Sequence, residues 1–284
     1  MAEAALGIVG LGVLGASLGL RYRHEHPDLV VFGVEPDPEH RRIALERGAV
    51  TALCADVCEL AEKVDILVLA MPVAAVLAAL ARLNALPRAG AWPRLIIDVA
   101  SVKRVVAELG QTVPMFVPTH PMAGSEASGP QAARADLFQG RPWAYVPVAG
   151  PEQLALLHEL VAAMGAHPLA LEAVAHDELV ARTSHLPQSL ATVLALQALR
   201  EPTAGLFGQG LLDMLRLARS SDHVWNAIYQ YNAQPIATEL EAYAQRLLGF
   251  AQDVRAGRLS AVSAAFAQAN SLAAGLPEPD ALDT

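Results

Sequence analysis

The feature that most constrains the fold of this chain is a rhythm in which short apolar runs alternate with stretches of helical period. "LGIVG", "LVVFGVE", "DILVLAM", "RLIIDVA" and "MFVPTH" are each nearly continuous apolar runs, the pattern of strands buried on both faces. Helical stretches lie between them at Val13–Arg23, Pro38–Arg47, Val73–Leu83 and Val102–Leu109. Parallel strands need a crossover, and a crossover helix covers the sheet it leaves, so this alternation means a parallel sheet with helices on both faces. A further run, "WAYVPVA", closes this half near residue 149.

After Pro151, which suits a first helical turn, the character changes. "EQLALLHELVAAMG" has helical period, one short run "HPLAL" follows, and nearly everything to Gly275 reads as helix, with breaks around Pro202–Gly210, Ser220–Asp222 and Gly257. The expected fold class is therefore α/β: an N-terminal Rossmann-type doubly wound parallel sheet over residues 1–149, then an all-α C-terminal domain over 150–284. With 54% hydrophobic and 17% charged residues, the chain buries a core rather than staying disordered. Few charges in the helical half, and alanine-rich stretches such as Ala261–Ala274, call for a partner surface, most simply a homodimer through the helices.

The net charge of -9 argues against a general nucleic-acid binder and against a basic protein of membrane surfaces. Cys54 and Cys58 make neither a disulfide framework nor a zinc spacing. The apolar stretch Ala4–Leu20 lacks a basic flank and is punctuated by glycines, so it does not read as a signal peptide. A cytoplasmic protein is expected.

Those glycines carry the first functional signal. "GIVGLGVLGASL" sets Gly10, Gly12 and Gly15 in GxGxxG spacing after a strand and before a helix, and Glu35 ends the next strand twenty residues beyond Gly15. In a dinucleotide fold Gly10 permits the tight turn, Gly12 admits the pyrophosphate to backbone N–H groups, and Gly15 allows close helix–strand packing. The phosphate charge then meets the positive end of the helix dipole. Leu11, Val13 and Leu14 complete this turn, and Pro72, just past "DILVLAM", is a further expected cofactor contact. Glu35 accepts from ribose hydroxyls and repels a 2′-phosphate, which favours NAD over NADP. Arg41 and Arg42 nearby are the competing observation.

Ligands in such a sheet bind outside the carboxyl ends of the strands. "IIDVASVKR" brings Asp98, Ser101 and Lys103 to one such end, and "FVPTHPMAGSEASG" brings His120 to the next, followed by a glycine- and serine-rich loop. A histidine before proline is not in a helix interior. Beside the nicotinamide end of a dinucleotide, His120 is a candidate catalytic base.

At these residues the chain resembles the prephenate and arogenate dehydrogenases of tyrosine biosynthesis, the TyrA family. The resemblance runs through "GLGVLGASL", "DVASVK", "THPMAGSEASG", "HDELVARTSHLPQSLA" and "DMLRLARSSDHVWNAI" in order. It implies NAD-dependent oxidative decarboxylation of a cyclohexadienyl substrate, prephenate or arogenate, without a metal. It implies that His120 accepts a hydrogen bond from the ring hydroxyl, that Ser101 shares that hydroxyl, and that Arg216 holds the ring carboxylate with His185 in support. Arg219, one turn on, is a local alternative to Arg216. His176 and Asp177 open the same helix as His185, where a capping or structural role suits them as well as substrate contact does.

Two positions depart from the family pattern. This chain reads SHLPQ where many relatives read SHLPH, so Gln188 stands at a histidine associated with the substrate's side-chain end, and glutamine cannot become cationic. Relatives often carry a glycine triplet where this chain has Gly208-Gln209-Gly210. Ser125, five residues past His120, is uncharged where an acidic residue goes with arogenate preference, which favours prephenate. Two other readings compete. A β-hydroxyacid dehydrogenase or imine reductase would want a lysine in the helical half, yet none follows Lys103, which counts heavily against the hydroxyacid version. A regulatory protein that senses NAD without turnover would leave His120, Ser101 and Arg216 without a purpose. Within "ARTSHLPQSLA", Pro187 cannot donate to the carbonyl of Thr183, which predicts a kink.

Overall fold

The computed structural model describes residues 4–87, 90–124, 127–201, 205–220 and 222–276. Ser125 and its neighbour Glu126 lie outside the described residues. Two compact units are present, one running through Leu179 and including Arg219–Asn232, the other made of Val180–Ala218 and the chain from Ala233 onward.

The first unit opens with β1 (Leu6–Val9), α1 (Val13–Glu25), β2 (Val31–Val34), α2 (Pro38–Glu46), β3 (Ala52–Leu53), α3 (Val57–Ala61), β4 (Ile66–Leu69), α4 (Val73–Ala85), β5 (Leu95–Asp98), α5 (Arg104–Gly110) and β6 (Phe116–Val117). The six strands form one sheet in the order β3-β2-β1-β4-β5-β6, every pair parallel. Alternate residues face opposite ways along each strand, and each face builds its own core. Leu6, Ile8, Val31, Ile66, Val68, Leu95 and Ile97 meet α1 and α2 through Ala16, Leu18, Tyr22 and Ala44. Val9, Leu67, Leu69 and Ile96 meet α3, α4 and α5 through Leu60, Val76, Leu80 and Val106. Covering both faces explains why the strands read as unbroken apolar runs.

The run "MFVPTH" is not one strand. It divides at Pro118 into β6 and β7 (Thr119–Pro121), and β7 belongs to a second, three-stranded sheet with β8 (Pro142–Tyr145) and β9 (His167–Ala170). Proline has no N–H for the ladder, and its carbonyl instead accepts from Val146 N at 2.9 Å. β7 and β8 are antiparallel, β8 and β9 parallel.

The first unit also extends beyond the 149/150 boundary expected from the change in pattern. α6 (Pro151–Ala163) buries Leu156, Leu157, Leu160 and Val161 in the core that faces α1, and β9 pairs with β8. Helical period alone does not say which core a helix joins. α10 (Asp222–Tyr231) also returns to this unit, where Ala227 and Tyr231 pack on the α4 side of the sheet.

The second unit contains a π turn (Ala181–His185), α8 (Leu186–Ala198), α9 (Gln209–Leu215), α11 (Ala233–Arg255) and α12 (Leu259–Ala273). The kink expected at Pro187 takes the form of this π turn. Leu186 N–H donates to Ala181 O, five residues back, and Pro187 falls in the first turn of α8, where its missing N–H costs nothing. Gly257, at φ 66, separates α11 from α12. No helix among the described residues is long and apolar enough to cross a membrane.

Candidate active site

Because the six strands are parallel, their carboxyl ends share one edge. Five expected site elements follow those ends in turn: the Gly10–Gly15 turn after β1, Glu35 after β2, Pro72 after β4, Ser101 after β5 and His120 after β6. The order of connection reverses between β1 and β4, the crevice where a doubly wound sheet takes its ligand.

The glycine turn is shaped for a close visitor. Gly10 has φ 90, and a Cβ there would lie 2.4 Å from Ala70 O. A Cβ on Gly15 would lie 2.0 Å from Gly10 O, so this glycine keeps helix and strand together. Gly12 differs, because a Cβ there would meet nothing within 4 Å. Its backbone caps α1, which has neither a side-chain cap nor an acidic residue in its first turn. An uncapped helix start with open space before it offers N–H donors and a positive dipole end to an anion. The residues thus fit a dinucleotide pyrophosphate.

Glu35 is drawn into the turn. Its Oε2 accepts from Leu11 N at 2.7 Å and its Oε1 from Asp37 N at 3.1 Å. Each carboxylate oxygen has a further lone pair for a hydroxyl. Arg42, the competing signal for a phosphate, pairs with Glu39 and Glu46 on the exposed face of α2. Arg41 Nη2 donates to Pro36 O at 3.1 Å. Pro72 caps α4, and its carbonyl accepts from Val76 N at 3.0 Å.

Asp98 and Lys103 do not line a cleft. Both are fully buried and paired with each other. Lys103 Nζ also donates to Thr119 O at 2.6 Å, Asp98 Oδ1 accepts from Thr119 N at 2.9 Å, and Thr119 Oγ1 donates to Asp98 O. Burial pushes the Asp98 carboxyl up and the Lys103 ammonium down, and each partner's charge opposes the other's shift. The pair sews the end of β5 to the start of β7, one residue before His120.

His120 is half-buried at the centre of β7, opposite Ala144. Its Nδ1 lies 2.9 Å from Nε2 of His176, with the rings edge to face at 5.1 Å between centroids. His176 Nδ1 lies 2.9 Å from Asp177 Oδ1. Asp177 in turn accepts from Lys103 N at 2.6 Å and Arg104 N at 2.9 Å, at the start of α5. The capping role expected for this dyad is real, but the capped helix lies 73 residues away rather than at home. Asn232 Nδ2, just past the end of α10, donates to Asp177 O at 2.9 Å and fixes the dyad from that side. Adjacent His and Asp in "AHDEL" were the visible signal. Sequence gives no means of tying them to His120.

In the second unit, His185 is buried in the π turn and its carbonyl accepts from Ser189 Oγ at 2.8 Å. Gln188 is buried and donates from Nε2 to Leu217 O at 2.9 Å. Arg216 ends α9 and is exposed, with Leu217 next to it in the chain. Arg219 is also exposed but belongs to the first unit.

Residues 18–169 match the family model described as prephenate dehydrogenase, nucleotide-binding domain, and residues 172–268 match prephenate dehydrogenase, dimerization domain. The glycine turn precedes the first matched stretch. A probable prephenate dehydrogenase, NovF, of Streptomyces niveus is 36% identical over 258 residues, covering 87% of this chain and 68% of that protein. The crystal structure of Synechocystis arogenate dehydrogenase is 27% identical with a TM-score of 0.78, covering 94% of this chain and 98% of that one. In fold the chain is similar to prephenate dehydrogenase from A. aeolicus in complex with hydroxyphenyl propionate and NAD+, at a TM-score of 0.86 and 22% identity, covering 95% and 97% of the two chains.

Proposed function

The chain belongs to the prephenate dehydrogenase family, and from that premise we propose that it converts prephenate to 4-hydroxyphenylpyruvate and CO2 with reduction of NAD. The observation that carries this reading is the common edge of the parallel sheet, where the Gly10–Gly15 turn, Glu35, Ser101 and His120 all follow strand ends. Bound NAD supplies the acceptor for the hydride that leaves the carbinol carbon. His120 accepts the hydrogen of the ring hydroxyl, which eases departure of the hydride, and Ser101 holds that hydroxyl in line. Arg216 binds the ring carboxylate by a directional guanidinium pair. The bond from the ring to that carboxylate then breaks, CO2 leaves, and the electron pair of that bond enters the ring, which becomes aromatic as the ring oxygen takes back the proton held by His120.

NAD rather than NADP is supported by Glu35 at the end of β2 and by the engagement of Arg42 with Glu39 and Glu46. Arogenate is the second substrate reading, supported by likeness to an arogenate dehydrogenase and by Gln188, which cannot become cationic, at the position of the SHLPH histidine. The deciding assay is NADH or NADPH formation with prephenate and with arogenate, each with NAD and with NADP. Turnover is expected with prephenate and NAD; none with any of the four pairs would overturn the reading.

A homodimer through the helical unit is part of the same proposal. Leu196, Leu259 and Leu272 are each more than 70% exposed, and Leu247 and Leu248 on α11 and Phe266 on α12 are exposed as well. Apolar exposure on this scale marks an interface. Sedimentation is expected to give twice the chain mass, and a stable monomer would refute the dimer.

A further inference from the structure

We infer that His176 and Asp177 are positioning residues that set the tautomer of His120 and leave its Nε2 as the basic nitrogen. The inference rests on reading His120 as the base of the proposed reaction. An ionised carboxylate only accepts hydrogen bonds, so the 2.9 Å contact with Asp177 Oδ1 puts a hydrogen on His176 Nδ1. In a neutral imidazole the other nitrogen then accepts, and His176 Nε2 faces His120 Nδ1 at 2.9 Å. That contact puts the hydrogen of His120 on Nδ1. Nε2 is left with its lone pair, the nitrogen able to take a hydroxyl hydrogen.

The surroundings keep this order from reversing. His176 and Asp177 are almost fully buried. Asp177 already accepts two N–H groups at the start of α5, where the helix dipole stabilises its charge, so it needs no imidazolium partner. Asp98 and Lys103, at the neighbouring strand end, pair with each other and with Thr119, and Asp177 also lies near enough to act on the Lys103 charge. The backbone of the dyad is itself held, by Asn232 at Asp177 O and by Glu172 O at His176 N.

The test is nitrogen-15 spectroscopy of histidine-labelled protein with NAD bound, at neutral pH, with His120 assigned by His120→Asn. Hydrogen is expected on Nδ1 of both His120 and His176. A hydrogen on Nε2 of neutral His120, or on both nitrogens of His176, would overturn the inference, whatever the variants do. In kinetics, His176→Leu removes the acceptor and is expected to lower kcat about 10- to 100-fold, with KM for prephenate changed less than about threefold. The acidic limb of its rate profile moves to lower pH, because a protonated His120 loses an acceptor. His176→Gln keeps an acceptor oxygen and recovers most of the rate. An unchanged kcat and pH limb in His176→Leu would overturn the inference. Full turnover in His120→Asn would instead defeat the parent reading, which keeps the two failures apart.

Discussion

Gln188 reaches across the helical unit and donates its side-chain amide to the carbonyl of Leu217, 2.9 Å away. This bond ties α8, just after the π turn, to the residue that follows Arg216. The glutamine that departs from the family pattern therefore anchors the segment that presents the arginine, and its amide is engaged by protein rather than held for substrate alone.

Gln188→Leu leaves the Leu217 carbonyl without this donor and is expected to cost about 1 kcal/mol of stability. The larger effect should be on Arg216, with KM for prephenate rising several-fold and kcat nearly unchanged. Thermal melts and steady-state kinetics on one preparation check both. Gln188→His, compared on prephenate and arogenate, tests whether this position also selects between them.

In its proposed role Arg216 holds the ring carboxylate in ground and transition states alike, so for Arg216→Ala KM is expected to rise at least about tenfold with kcat changed far less. Arg219→Ala should leave KM within about twofold. The reverse pattern would transfer the carboxylate-binding role to Arg219.

Lys103→Met leaves Asp98 buried without its cation and is expected to destabilise the protein by about 3–5 kcal/mol. Pairing it with Asp98→Leu removes the stranded charge and should recover part of that loss. The double variant still lacks the bonds to Thr119 N and O, so recovery is incomplete. Denaturant unfolding of the two single variants and the double variant measures the coupling.

The two glycines separate folding from cofactor binding. A methyl on Gly12 meets open space, so Gly12→Ala should keep its melting temperature within a few degrees while NAD affinity falls at least about tenfold, read by calorimetry. A methyl on Gly15 lies 2.0 Å from Gly10 O, and Gly15→Ala should lose stability even without cofactor.

Tyr22 offers a test in alkali. Its hydroxyl donates to Ala4 O at 2.7 Å, and burial, with the nearby Asp65 charge, pushes its pKa up to about 12 from 10. A pKa raised by folding contributes stability that is complete below about pH 10 and is lost as pH rises towards 12. The loss amounts to about 2–3 kcal/mol. Tyr22→Phe removes the titrating hydroxyl, so its stability should fall less steeply across that window than that of the unaltered protein.

Much of the placement of the candidate site was legible because the residues that follow strand ends carry their own signals. The glycine turn, Glu35 and Ser101 fall where the strand pattern puts them, whereas His120, expected at the end of one strand, lies in β7 of the second sheet, three residues past β6. The readings that changed concern partners distant in sequence. Asp98 and Lys103 looked like cleft residues, yet they are a buried pair whose third member, Thr119, comes from another sheet. Pro187 announced a break, and the fold chose a π turn to make it.

By itself the sequence determined the parallel sheet, the helices on both its faces, the glycine turn and the helical second half. Each of these is written in near neighbours, through apolar period, glycine placement and proline, so short-range sterics and burial suffice to specify it. Only the tertiary structure decided that α6 and α10 join the first unit, that His176 stands behind His120, and that Asp177 caps α5. Those relationships link residues far apart in the chain, 56 between the two histidines and 73 from Asp177 to Arg104. No local pattern encodes them. They exist because the packing of the whole sheet fixes where each strand end and helix start comes to rest.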